Sequence, residues 1–232
     1  MKPFIIGHRG AMAYEPENTI LSIKKAIELG SDGVEIDVRR CKSGELIVIN
    51  NDTVDRTTNG QGYVKDFTLD KLQKLDAGKG EKIPTLEEVI NYINNKKIKL
   101  IIELKEKDLE KDVLILVEKH NLQNDSIIIS FFHQIIKNIK KINKNIDTGL
   151  LFVGNPVNVS SLAKEADAIF LFTNFKYTDK DLVDNAHENN LKVYVWNIDD
   201  IENLEKMLKL GVDGVGSNKP DVVVDYLNSK NP

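Results

Sequence analysis

Phe4-Ile5-Ile6-Gly7-His8-Arg9-Gly10 is an apolar run that breaks into an imidazole, a guanidinium and a glycine. Glu15-Pro16-Glu17-Asn18-Thr19 then turns the chain into a segment with Ile20, Ile23 and Ile27 on one helical face. The pattern reads as a strand that delivers His8 and Arg9 to its C-terminal tip, followed by a helix. That helix stops at Leu29-Gly30, where glycine can take the left-handed cap conformation. A strand follows at Gly33-Val34-Glu35-Ile36-Asp37-Val38. The same glycine stop and two-residue loop recur at Leu210-Gly211-Val212-Asp213-Gly214-Val215. This is the helix-to-strand connection of a repeating βα architecture.

Working outward, strands are expected near 98–104, 126–130, 148–152, 168–172, 192–196 and 212–216. Helices are expected near 108–119, 133–142, 178–189, 199–209 and 220–227, with a weaker one near 158–165. Together with the strands at 4–6 and 34–38 these make eight parallel candidates. The predicted class is α/β, a (β/α)8 TIM barrel formed as one domain over 1–232. An open doubly wound sheet is the alternative, weakened because no Gly-rich phosphate loop follows the first strand.

Leu46-Ile47-Val48-Ile49 adds a hairpin arm after the turn Lys42-Ser43-Gly44. A hairpin centred on Ser43-Gly44 would set Asp37 opposite Asn50 and Glu35 opposite Asp52. Residues 50–83 are rich in turn signals and read as a small insertion after the second strand, with one helix near Leu69 to Leu75. Thr85 and Glu88 have capping-box spacing at the next helix.

The 232 residues are 41% hydrophobic and 29% charged, with a formal net charge of −4. A core can form without staples, and the acidic balance argues against general nucleic-acid affinity. Cys41 is the only cysteine, which excludes an intrachain disulfide and a cysteine-rich metal site. No apolar run approaches the roughly 18 residues of a membrane span. A strand expected from residue 4 leaves no room for a signal peptide. The expected setting is the cytoplasm, without stable membrane insertion; the oligomeric state is left open.

In a barrel, the chemistry collects at the C-terminal ends of the strands. His8, Arg9, Glu35, Asp37, Glu103, Lys105, Trp196 and Asn218 all fall there in this reading. Carboxylates two apart on a strand share a face, so Glu35 and Asp37 either mark a solvent-facing edge or point into a site. Lys99-Leu100-Ile101-Ile102-Glu103-Leu104-Lys105 is clearest, since its apolar run ends in an acid and a base on one face. Glu35, Asp37 and Glu103 offer three oxygen ligands suited to a hard divalent ion, Mg²⁺ or Ca²⁺, rather than zinc. Arg9 and Lys105 beside such an ion point to an anionic substrate, with phosphate the default. His8 is the candidate general acid or base.

Over nearly its whole length the chain resembles the glycerophosphodiester phosphodiesterases. The matching motifs are His8-Arg9-Gly10, Pro16-Glu17-Asn18-Thr19, Glu35-Ile36-Asp37, Asp55-Arg56-Thr57-Thr58, Pro84-Thr85-Leu86-Glu87, Ile102-Glu103-Leu104-Lys105, Ser130-Phe131, Trp196, and Gly211-Val212-Asp213-Gly214 with Lys219-Pro220-Asp221. The resemblance implies a (β/α)8 barrel with a divalent metal on Glu35, Asp37 and Glu103. It implies hydrolysis of small-molecule phosphodiesters such as glycerophosphocholine to an alcohol and sn-glycerol 3-phosphate. It also implies that Arg9 and Lys105 hold the phosphate, that Trp196 lines the pocket, and that the glycerol 2-hydroxyl attacks first to give a cyclic phosphate.

One position departs from the family pattern. Asn50, in Ile47-Val48-Ile49-Asn50-Asn51-Asp52, stands where the family usually has a second catalytic histidine paired with the one at His8. An amide hydrogen-bonds but cannot exchange a proton near neutral pH, and losing one acid–base group typically costs about 10²–10⁴-fold in rate. Three readings follow: an enzyme scaffold with reduced turnover, a glycerophosphodiester-binding pseudoenzyme, or a lysophospholipid phosphodiesterase using His8 alone. The otherwise intact set of acids and bases favours the first. His133, at a strand end, is a weak candidate for the missing group; His120 and His187 read as helix-end and helix-surface residues.

Overall fold

The computed structural model describes residues 2–230. In chain order they form β1 (Phe4–Gly7), α1 (Ile20–Glu28), β2 (Gly33–Arg40), β3 (Leu46–Val48), α2 (Leu69–Leu72), α3 (Leu86–Ile93), β4 (Lys99–Leu104) and α4 (Glu110–Lys119). There follow β5 (Ser126–Ser130), α5 (His133–Ile142), β6 (Asp147–Phe152), α6 (Val159–Ala166), β7 (Phe170–Asn174), α7 (Lys180–Glu188), β8 (Lys192–Trp196), α8 (Ile201–Leu210), β9 (Gly214–Ser217) and α9 (Pro220–Lys230). β1 pairs in parallel with both β2 and β9, so eight strands close into a barrel with helices between them. The expected TIM barrel is the fold, and the open sheet is excluded by that closure.

Two apolar layers hold the barrel. Ile6, Ile101, Ile127, Ile129, Leu151, Phe170, Phe172 and Tyr194 fill its interior. Val34, Ile36, Val38, Leu100, Ile102 and Leu104 face outward into the larger core shared with the helices. Each such side chain, fully buried, contributes about 1.5–3 kcal/mol of transfer free energy. Ile101 and Glu103 lie on one face of β4, so Glu103 continues the interior layer to the mouth of the barrel. In the parallel ladder Asp37 is the register partner of Glu103, and Glu35 of Ile101. Glu35 and Asp37 therefore point inward; the alternative of a solvent-facing edge is excluded.

The glycine after α1 has the expected positive φ, 86°, and Gly211 after α8 has 88°. Thr19 and Thr85 each cap their helix through a reciprocal capping box, with Ser22 and Glu88 respectively. The strands expected at 168–172 and 212–216 begin two residues later, at Phe170 and Gly214.

The hairpin differs from its expected register by one residue. Val38 pairs Val48 and Arg40 pairs Leu46, with Cys41 donating its backbone N–H to Glu45. The loop is thus the three residues Lys42-Ser43-Gly44, with Gly44 at φ 104°, rather than a two-residue turn centred on Ser43-Gly44. Asp37 consequently lies opposite Ile49, whose N–H it accepts at 2.9 Å. β3 ends at Val48, so Asp52 does not face Glu35; its carbonyl accepts from Val64 instead.

The segment from 49 to 84 covers this arm. Ile47, Ile49, Val54, Val64, Leu72, Ala77 and Ile83 form a small core of their own beneath it. Its α-helix is shorter than expected, stopping at Leu72, and a 3-10 turn at Val64–Asp66 precedes it.

Candidate active site

The turn after β1 is built by close packing. A side chain at Gly10 would meet Ser22 backbone carbon at 2.4 Å, and its φ is +78°. Only glycine fits both demands. Arg9 itself sits at φ 51°, a conformation that costs a non-glycine residue about 1–2 kcal/mol. Hydrogen bonds overdetermine it: its N–H reaches Glu35 Oε2 at 2.9 Å, and its carbonyl accepts from Asn18 N–H and Ser22 Oγ.

Glu35, Asp37 and Glu103 are buried and offer carboxylate oxygens all within 4.8 Å of one another. Two cations reach into this group. Arg9 Nε lies 3.1 Å from Asp37 and its Nη1 2.8 Å from Glu17; Lys105 Nζ lies 2.6 Å from Glu103 and 3.3 Å from Asp37. Arg56, from the segment over the hairpin arm, grips Glu17 through both terminal nitrogens.

The three carboxylates are not equivalent. Burial, with the negative neighbours Asp37 and Glu103, pushes Glu35 well above the ordinary range. Burial and Asp37 push Glu103 up to about 7. Burial would raise Asp37 too, but Lys105, Arg9 and the amides of Asn18 and Asn50 outweigh it and lower its pKa. Asn18 Nδ2 donates to Asp37 Oδ2 and Asn50 Nδ2 to Asp37 Oδ1, each at 2.9 Å. Glu35 Oε1 is buried without a hydrogen-bond partner among the described residues. An unsatisfied carboxylate oxygen beside two further acids is the donor set a hard divalent cation takes, and the cluster can hold one.

His8 enters from β1. Its Nδ1 lies 2.7 Å from Asn218 Oδ1, and its Nε2 is 3.9 Å from Glu35 Oε2. Burial, and secondarily Arg9, lower its pKa, so the neutral imidazole is favoured. A cavity of about 150 Å³ opens on this group. It is lined by His8, Arg9, Glu35, Glu103 and Lys105 on the polar side, and by Ile129, Phe131, Leu151, Phe172 and Trp196 on the apolar side. Phe131 meets Trp196 edge-on at 6.0 Å between ring centroids.

All the residues expected to act together are therefore adjacent, with one qualification. Asn50 reaches the cluster through Asp37 from the flank and does not line the cavity. His133 contacts the Leu151 carbonyl at 2.9 Å and is also absent from the lining, so it does not replace a second acid–base group. His120 and His187 cap and close helices α4 and α7, contacting Glu87 and Asp213. Glu17, Asn18, Asn197 and Asp199 join the site beyond the residues expected from the sequence. Glu17 and Asn18 stand in the Pro16-Glu17-Asn18-Thr19 motif. Asp199 and Asn197 carry no local signal beyond their place after a strand.

The chain matches the glycerophosphoryl diester phosphodiesterase family model over residues 8–222. It is 38% identical over 239 residues to a glycerophosphodiester phosphodiesterase of Caldanaerobacter subterraneus subsp. tengcongensis, covering 98% of each chain. Among solved structures it resembles an Oleispira antarctica phosphodiesterase in complex with sn-glycerol 3-phosphate. That match has a TM-score of 0.89 and 27% identity, over 97% of each chain. A glycerophosphodiester phosphodiesterase of Parabacteroides distasonis superposes with a TM-score of 0.89 at 25% identity, covering 100% of this chain and 99% of that one.

Proposed function

The chain belongs to the glycerophosphoryl diester phosphodiesterase family, and from that premise we propose that it hydrolyses glycerophosphodiesters, such as glycerophosphocholine, to an alcohol and sn-glycerol 3-phosphate. The observation that carries this reading is the juxtaposition of three buried carboxylates, two cations and one imidazole around a single cavity.

Glu35, Asp37 and Glu103 would hold Mg²⁺ or Ca²⁺, whose preference for oxygen ligands they meet. When bound, the cation supplies charge neutralisation at the phosphate oxygens. Arg9 and Lys105 orient the phosphate against the cavity wall. Fully ionised, the three acids and Glu17 face three cations among the described residues, Arg9, Lys105 and Arg56. A divalent ion reverses the sign of that balance, so an anionic substrate is bound with the metal rather than before it. His8 moves a proton at Nε2, and Trp196 with Phe131 excludes water on the apolar side. Asn50 orients but carries no proton, so turnover is below that of a site with two acid–base groups.

A second reading, a lysophospholipid phosphodiesterase on the same site, is favoured by one observation. Phe131, Phe132, Val153, Val157 and Tyr177 are exposed on the loops that follow the C-terminal ends of β5, β6 and β7, and Phe131 itself lines the cavity. Among the described residues no helix is long and apolar enough to cross a membrane, so contact with an acyl chain would be made by this rim.

The test is release of glycerol 3-phosphate from glycerophosphocholine, abolished by EDTA and restored by Mg²⁺ or Ca²⁺. Lysophosphatidylcholine run in parallel separates the two readings. Metal-dependent substrate binding without any release would make the protein a binding module and overturn both.

A further inference from the structure

His8 Nδ1 and Asn218 Oδ1 lie 2.7 Å apart. Which atom of that pair carries the proton depends on which way the Asn218 amide faces. The answer is given one residue further out. Asp199, on the loop after β8, receives three donors from the end of β9. Its Oδ1 accepts from Ser217 Oγ at 2.9 Å and from the Asn218 backbone N–H at 2.7 Å; its Oδ2 accepts from Asn218 Nδ2 at 2.6 Å. An ionised carboxylate has no proton to give. Asn218 must therefore turn its NH₂ to Asp199 and its oxygen to His8, and His8 Nδ1 must be the donor.

The Asn197 amide also lies 3.2 Å from His8 Nδ1, through its Nδ2. Its Oδ1 is buried without a partner among the described residues, so no other bond among them holds that amide in place. Turning it over gives the ring proton a second acceptor and removes a donor–donor contact. Of the two amides, only the one at Asn218 is locked.

The geometry points to Asn218, oriented by Asp199, as the positioning residue that keeps the His8 imidazole in its Nδ1–H form, with the Nε2 lone pair turned to the cavity. The chain of polarity runs from an acceptor-only anion, through an amide that must point one way, to an imidazole whose free lone pair is thereby assigned. The inference rests on the phosphodiesterase reading for its catalytic meaning, but not for the tautomer itself.

The decisive variant is Asp199→Asn. Its amide oxygen is needed by the Ser217 hydroxyl and the Asn218 N–H, which leaves its NH₂ toward Asn218. Asn218 then turns over, presents NH₂ to His8, and drives the ring to the Nε2–H form. Long-range ¹H–¹⁵N spectra of the Mg²⁺-loaded protein, with His8 assigned by its loss in His8→Asn, read the tautomer directly. The expected result is Nδ1–H in the natural chain and Nε2–H in Asp199→Asn. With it, kcat should fall about 10²–10⁴-fold while KM and Mg²⁺ affinity hold.

An Nε2–H ring in the natural chain, or an unchanged tautomer in Asp199→Asn, overturns the inference. If Asp199→Asn does not fold, Asn218→Leu combined with Asn197→Leu deletes both acceptors open to the Nδ1 proton and leaves Asp199 its two other donors. Its ring should no longer be held wholly as Nδ1–H, and a ring that stays so overturns the inference equally. If neither the natural chain nor Asn50→His releases glycerol 3-phosphate, the proposed function falls, while the tautomer measurement still decides this point.

Discussion

Asn50 donates its side-chain amide to Asp37 Oδ1 at 2.9 Å, which places an unreactive group within one hydrogen bond of the acidic cluster. An imidazole there could keep that donor and add a transferable proton. Asn50→His should raise kcat for glycerophosphocholine about a hundredfold with KM unchanged. Glycerol 3-phosphate release, with EDTA as control, measures it. No gain in kcat would mean that this position takes no part in proton transfer.

Glu103→Gln removes one of three convergent acids and leaves the shape of the site. Mg²⁺ affinity by calorimetry should fall at least about tenfold, and turnover at least about a hundredfold, with an unchanged circular dichroism spectrum. Unaltered metal affinity would remove Glu103 from the ligand set.

Without metal, Glu35 and Glu103 hold their protons above the ordinary carboxylate range, Glu103 to about 7. The folded state then binds more protons than the unfolded one between pH 4.5 and 7, so these groups lose stabilising effect as pH rises through that window. Metal binding displaces the same protons and strengthens over the same range. The gap in melting temperature between Mg²⁺ and EDTA should widen from about pH 5.5 to about pH 8. A constant gap would mean that the acids are already ionised at the lower pH.

Asn18 sits at φ 60° and both donates to Asp37 Oδ2 and accepts the Asp37 N–H. Asn18→Ala should destabilise the protein by about 2–4 kcal/mol, from the lost bonds and the left-handed backbone. Asn18→Gly, free of the backbone cost, should recover about 1 kcal/mol of that. Urea unfolding of the two variants separates the contributions; equal losses would leave the backbone term without effect.

Much of this was legible in the amino-acid order, and the exceptions have physical causes. Strand tips at His8-Arg9 and Glu103-Leu104-Lys105 announced themselves because an apolar run cannot end in charge without a site or solvent to receive it. Glu35 and Asp37 were ambiguous, since an inward-facing barrel position and a solvent-facing one share the same period of two. The hairpin register turned on whether two or three residues closed the loop, which Lys42-Ser43-Gly44 permits either way. Asp199 was invisible as a partner of the site because its meaning depends on Asn218, nineteen residues later, arriving beside it.

His8 and Asn218 are separated by 210 positions and meet only because β1 and β9 are neighbours. During synthesis the imidazole of β1 and the acids of β2 and β4 are made well before β9. Nothing aims that imidazole until β9 and the residue after it, Asn218, have left the ribosome. Premature termination or cleavage ahead of Asn218 would thus leave a protein rich in barrel structure and poor in chemistry. Activity, more than secondary structure, is the faithful gauge of a barrel carried through to Asn218.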